Sequence, residues 1–183
     1  MGCDIHVKTF VYSKVEKKMV PAMSVFEDSK YFPQIVEDRD YDLFGLFGNS
    51  CRSWYPELDC FEIENDFPSF MKKTTLYKRI NIGDYHTRRW CYANKLEASL
   101  REYRENLLDP KKWLKRYGDN NNDFLLDVAQ RKISAKKWKE AHQCLIASID
   151  EVLKKIEDVK MWIGDYSDIL DPEKIVFVTW MDS

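Results

Sequence analysis

The sequence predicts an α+β fold: a small, mainly antiparallel sheet holding the N- and C-terminal strands, packed against a long antiparallel helical pair. Three observations carry this. The opening residues alternate with a period of two, so that Cys3, Ile5, Val7, Thr9 and Val11 share one face and Asp4, His6, Lys8, Phe10 and Tyr12 the other. The closing run Ile175-Val-Phe-Val-Thr-Trp180 is unbroken β-branched and aromatic sequence, the pattern of a central strand covered on both faces. Between them, apolar seams spaced by threes and fours mark helices at about 88–108 and 135–163.

Taken in order, Ser13–Lys18 is a polar turn, and Met19–Phe26 reads as the return strand of a hairpin, with Pro21 assigning it to an edge because proline cannot donate a ladder hydrogen bond. Residues 27–38 read as loop. Tyr41, Phe44 and Phe47, with Leu43 beside them, form one stripe on a short helix that Gly48-Asn49 would stop. Residues 49–85 are irregular and aromatic-rich, with a short strand expected around Leu76–Ile82. Thr87 is the expected N-cap of the first long helix, whose stripe is Ala93, Leu96, Leu100, Tyr103 and Leu107, and Asp109-Pro110 ends it. A basic insert follows at 111–133, containing the turn signal Gly118–Asp123. Ser134 then caps the longest helix, whose seam runs through Trp138, Leu145, Ile149, Val152, Ile156, Val159 and Ile163 to Gly164.

At 183 residues, one domain spanning 1–183 is expected. No apolar run is long enough for a membrane span, and the N-terminus lacks the basic and apolar regions of a signal peptide, so the cytoplasm is the expected compartment. Five cysteines without a C-x-x-C pair suggest reduced, mostly buried thiols rather than a disulfide framework or zinc knuckle. The net charge of −2 conceals a segregation: residues 27–66 carry eleven acidic against three basic side chains, and residues 111–139 nine basic against three acidic.

Two of the three histidines sit in the same local pattern, Asp4-Ile-His6 and Asp84-Tyr-His86. In extended chain, residues two apart point the same way, so each D-x-H offers a carboxylate and an imidazole to one point, a donor mixture suited to zinc, manganese or iron. If the segments meet, Asp4, His6, Asp84 and His86 form a candidate metal site, which Asp182 joins if the last strand pairs with the first. The competing account is a pair of hydrogen-bonded structural Asp–His contacts. His142, between basic residues, is expected at the surface, and Cys3 falls on the face opposite His6, which argues against a Cys–His nucleophile. Lys111, Lys112, Trp113, Lys115, Arg116 and Tyr117 interleave cations with aromatics as nucleic-acid surfaces do, and Lys136 and Lys137 extend this basic surface. Glu37, Asp38, Asp40, Asp42, Glu57 and Asp59 make an acidic surface suited to docking on a basic one.

Gly2-Cys-Asp-Ile-His6, Arg39-Asp-Tyr-Asp-Leu-Phe44, Asp84-Tyr-His86 before Trp90 and the closing Ile175–Asp182 together resemble an uncharacterised family of phage and prophage proteins that open with M-G-C-D-I-H. The chain departs from that family's pattern in having His86-Thr-Arg-Arg-Trp90 in place of an H-S-x-S-W element and Met181-Asp-Ser183 in place of a terminal F-D-N. The resemblance implies a phage or mobile-element origin, an α+β domain, and Asp4, His6, His86 and Asp182 as the positions of interest. With the segregated charge, it leads to the expectation of an accessory protein acting by binding in the cytoplasm of the host cell, as a counter-defence inhibitor of a host nucleic-acid-processing or defence enzyme. Two rivals accompany it. One is a metal-dependent hydrolase of phosphoesters or nucleotides, with zinc or manganese as its divalent ion. The other is a nucleic-acid binder using the basic insert alone.

Overall fold

The computed structural model describes residues 4–25, 32–36, 41–48, 55–62, 67–80, 86–117 and 135–181. The fold is α+β: a four-stranded antiparallel sheet that includes the N- and C-terminal strands and packs against helices. Its strands are β1 (Ile5–Ser13), β2 (Lys18–Pro21), β3 (His86–Tyr92) and β4 (Leu170–Met181), in the order β2-β1-β4-β3.

Strand β4 is central, as its unbroken apolar run predicts, and β2 lies at the edge where Pro21 requires it. The return strand is shorter than expected. It stops at Pro21, and Ala22–Ser24 turn into a 3-10 helix with the Ser24 hydroxyl bonded back to the Pro21 carbonyl at 2.7 Å. Along β1 the partner on β4 jumps from Ile175 at Val11 to Asp171 at Tyr12. Pro172, which has no N–H to offer, falls in the bulged stretch.

Both faces of the sheet are covered. Ile5, Val7 and Val11 join Ile175, Phe177 and Met181 in the main core beneath the helices. On the other face Phe10, Val176, Val178 and Trp180 pack with Phe67 and Met71.

The helices are α1 (Tyr41–Leu46), α2 (Thr75–Ile80), α3 (Ala93–Leu108), α4 (Pro110–Tyr117), α5 (Ala135–Ala141) and α6 (Gln143–Gly164). Leu43, Phe44 and Phe47 of the α1 stripe are buried. Gly48 ends that segment with φ +103°, and an added Cβ there would lie 2.9 Å from Thr87 Cγ2, so both conformation and space call for glycine. All five predicted stripe residues of α3 are buried, as is every predicted seam position on α5 and α6. Helices α3 and α6 run antiparallel: Glu97 pairs with Lys160, Arg101 with Glu157, and Arg104 with Asp150 at 2.5 Å.

Three sequence expectations fail for identifiable reasons. Residues 88–92 are strand rather than the first turn of α3, and Thr87, with φ 52°, is not its N-cap: Arg89–Tyr92 pair with Val176–Thr179 of β4, and the helix begins only at Ala93, where the apolar stripe begins. Leu76–Ile80 belong to a short helix, not a strand, because the Thr74 hydroxyl accepts the Tyr77 N–H at 3.2 Å and starts a turn. The predicted helix 135–163 is broken at His142. There the His142 N–H bonds to Lys139 instead of Trp138, and the ring Nδ1 takes over the Trp138 carbonyl at 2.7 Å.

Candidate functional site

Strand alternation puts His6 on the face of the sheet that carries Phe10 and Trp180, in register with Trp180 on β4. The two rings stack with centroids 5.5 Å apart and planes 22° from parallel. Phe67 meets the other side of this arrangement edge-on, 6.1 Å from Trp180. Asp4, His6 and Lys8 line a cleft of about 280 Å³ that Gln34 and Val36 close from the 32–36 segment. Lys8 leans toward the Met23 sulfur at 3.9 Å. Along the same face, the Arg88 guanidinium lies 5.2 Å above the Phe67 ring, and its buried Nε has no hydrogen-bond partner among the described residues. This end of the sheet thus holds Asp4, His6 and Lys8 in one cleft beside Trp180, with Arg88 on Phe67 outside that cleft.

His86 enters by its backbone. It pairs with Met181, as Ile5 does from the other side, so β4 separates the backbones of Ile5 and His86 by two strand spacings, about 9.5 Å. Asp84, Asp182 and the side chain of His86 lie outside the described residues. Among the described residues, no three His, Cys, Asp or Glu side chains are gathered so as to hold a metal ion. Asp4 and His6 supply the right kinds of donor from one cleft wall, and a complete set of three or four ligands would need residues from outside that described group.

The predicted interleaving of cations and aromatics on the basic segment is corrected by the fold. Trp113 is 2% exposed and meets Tyr103, Tyr117 and Trp138 at centroid distances of 5.2, 4.5 and 6.3 Å. Tyr117 is half-buried, so neither ring is presented as an open stacking platform. Lys111, Lys112 and Lys115 of α4 do face solvent, as do Lys136, Lys137 and Lys139 of α5, and the two helices, each packed on α3, meet through the Trp113–Trp138 contact. His142, expected at the surface, is 3% exposed, and burial pulls its imidazole below the ordinary histidine range.

The described part of the acidic surface is occupied from within the chain. Glu57 binds Arg89 at 2.6 Å, and Asp59 pairs with Arg116, which also reaches Glu102 at 3.7 Å. Glu37, Asp38 and Asp40 lie outside the described residues, as does the side chain of Asp42.

A second cleft, about 440 Å³, escapes any spacing rule because its parts come from the 59–62 segment and from α3. Cys60 lines it, and its thiol hydrogen-bonds with Cys91 and Ser99. These bonds hold the Cys60 thiol below its usual range against the opposing effect of burial, whereas burial raises Cys91 well above it. No local motif announces the pair; of the expected mostly buried thiols, among the described residues Cys91 is buried, Cys60 half-buried and Cys144 exposed.

Compared with family models, with curated proteins and with solved structures, the chain matches none.

Proposed function

We propose that the protein acts by binding, as a phage-type accessory protein that blocks a host defence or nucleic-acid-processing enzyme in the host cytoplasm, and that it meets this partner through the lysine face of α4 and α5. The observation that carries the proposal is the orientation of the two helices. Their tryptophans are buried and touch, which leaves Lys111, Lys112, Lys115, Lys136, Lys137 and Lys139 exposed on two helices that both pack on α3. A cationic face without exposed aromatic rings suits an acidic protein patch better than single-stranded nucleic acid, which is gripped by stacking. Among the described residues, no helix is long and apolar enough to cross a membrane.

The test is recovery of a partner from host lysate at low salt, followed by the variant Lys112→Glu/Lys115→Glu/Lys136→Glu. Charge reversal should weaken capture at least about tenfold and flatten its salt dependence, mostly through the association rate. Capture that survives both the triple variant and high salt would overturn the surface. Nucleic acid retained with a steep salt slope, and no protein partner, would replace the proposal with the nucleic-acid reading.

A metal-dependent phosphoester hydrolase is the second reading, and the Asp4–His6 cleft is what favours it. The cleft holds two of the expected ligands, and Arg88 on the same face would suit a phosphate oxygen. Elemental analysis of protein purified without chelator decides it. Stoichiometric zinc or manganese that disappears in His6→Ala supports a metal site, and no metal before or after adding either ion removes it.

A further inference from the structure

We propose that Cys60 and Cys91 form a peroxide-reactive dithiol, with Cys60 as the attacking thiol and Cys91 as the resolving one. The proposal stands on where the fold puts the two sulfurs. Cys60 is half-buried on the wall of the 440 Å³ cleft, open on the side lined by Lys95, Ser99 and Glu102. Cys91 lies behind it at 1% exposure, on β3 in register with Phe177. A backbone hydrogen bond from the Glu62 N–H to the Trp90 carbonyl, 3.0 Å, fixes the 59–62 segment against β3 next to Cys91, and the two thiols interact. The half-buried Cys60 therefore has a cleft through which a small oxidant can arrive, and Cys91 is shielded from solvent.

The electrostatics agree with this division of labour. The Cys60 sulfur is hydrogen-bonded with the Cys91 thiol and Ser99, and its own backbone adds a further stabilising hydrogen bond, all of which favour the thiolate. Burial opposes them, and Asp59 adds to that opposition, while Lys95 acts on Cys91 in the opposite sense to Glu62. A half-buried thiol on a cleft wall, beside a second thiol, is the arrangement from which sulfenic acid passes on to disulfide.

The chemistry balances with a hydroperoxide as the oxidant. The Cys60 thiolate attacks one peroxide oxygen; the O–O bond breaks as the S–O bond forms, and the departing oxygen takes a proton to leave as an alcohol, or as water from hydrogen peroxide. Cys60 is then a sulfenic acid, oxidised by two electrons. The Cys91 sulfur next attacks the Cys60 sulfur; the S–O bond breaks, the leaving hydroxide takes the Cys91 proton as water, and the disulfide remains. A disulfide here would pin the 59–62 segment, which carries the Asp59 contact to Arg116, covalently to the sheet.

The experiment uses the full chain, reduced and then exposed to one equivalent of hydrogen peroxide, with digestion and mass spectrometry under non-reducing conditions. The expected product is a Cys60–Cys91 linked peptide, two hydrogens lighter than its components. It should form at least about tenfold faster than oxidation at the exposed Cys144, since selectivity follows thiolate character rather than exposure alone. In Cys91→Ser, Cys60 should accumulate as a sulfenic acid trapped by dimedone. Alkylation of the untreated wild type with iodoacetamide provides a readout independent of any variant's folding, and Cys60 should react ahead of Cys144. A linked peptide that never forms, or a Cys60 no more reactive than Cys144 toward both reagents, overturns the proposal.

Discussion

Trp138 joins three helices, and its replacement by phenylalanine gives a prediction with a calculable size. The side chain is 0% exposed, and its Nε1–H donates to the Leu107 carbonyl at 2.6 Å. Leu107 lies in the last turn of α3, where carbonyls have no partner within the helix, and the residue is itself buried. Phenylalanine removes the donor and strands that carbonyl away from water, which costs about 1–3 kcal/mol. The smaller ring also gives up contact with Trp113 and His142, whose centroids lie 6.3 and 4.2 Å away, for about another 1 kcal/mol. The total, about 2–4 kcal/mol, corresponds to a fall in Tm of roughly 5–15 °C for a chain of this size. Urea unfolding followed by circular dichroism measures the free energy, and calorimetry the midpoint. A benzothienylalanine analogue, which keeps the indole shape without the N–H, separates the two contributions and should lose only the hydrogen-bond part. A loss below about 1 kcal/mol in Trp138→Phe, or an analogue as stable as wild type, would refute the capping role assigned to this hydrogen bond.

Two further outcomes follow from groups buried near it. Burial holds the His142 imidazole below the ordinary histidine range, so the folded state prefers the neutral ring; this stability is complete above the unfolded value of 6.5 and is lost as pH falls below it, while Glu97 and Asp171, both lowered, act only at more acidic pH. The urea midpoint should therefore drop between about pH 7.5 and about pH 5.5 in wild type and change less in His142→Gln, and equal slopes in the two proteins would count against the assignment. The Tyr103 hydroxyl is buried without a hydrogen-bond partner among the described residues, so Tyr103→Phe should be neutral or stabilising by about 0–1 kcal/mol; a clear destabilisation in urea would mean that the hydroxyl has an acceptor.

The parts of the fold that could be read from the chain are those in which one residue's burial repeats at a fixed interval. Ala93, Leu96, Leu100, Tyr103 and Leu107 all face inward because a single helix presents every third or fourth residue to the same neighbour. Strand β4 was readable for the complementary reason, that a strand covered on both faces has no polar alternation to keep. What escaped depended on a single side chain competing with the backbone. His142 looks like surface from its charged neighbours, and only the capture of the Trp138 carbonyl by its ring explains both the helix break and the burial. Residues 88–92 were misplaced because a short strand feeding directly into a helix leaves no turn residues between them. As for the candidate site, alternation placed Asp4 and His6 together on one cleft wall, but pairing them with Trp180 and Gln34 required the strand order and a loop contact.

Charge patterning shows where composition misleads about surfaces. Blocks of opposite sign at 27–66 and 111–139 suggest two faces turned outward, one for each kind of partner. Yet Arg116, from the basic block, spends its charge on Asp59 of the acidic one, and Glu57 is held by Arg89 of β3. Glu57, held by the mostly buried Arg89, must break that contact before it can meet a partner, whereas Asp59–Arg116 is a solvent-exposed pair of small energetic weight. Lys111, Lys112, Lys115 and Lys139 of α4 and α5 are exposed, and Lys136 reaches Glu140 only at 3.9 Å on its own helix, a solvent-exposed pair of small energetic weight. The exposed lysines of α4 and α5 therefore make the stronger docking face among the described residues, and a partner selected by that face would be acidic.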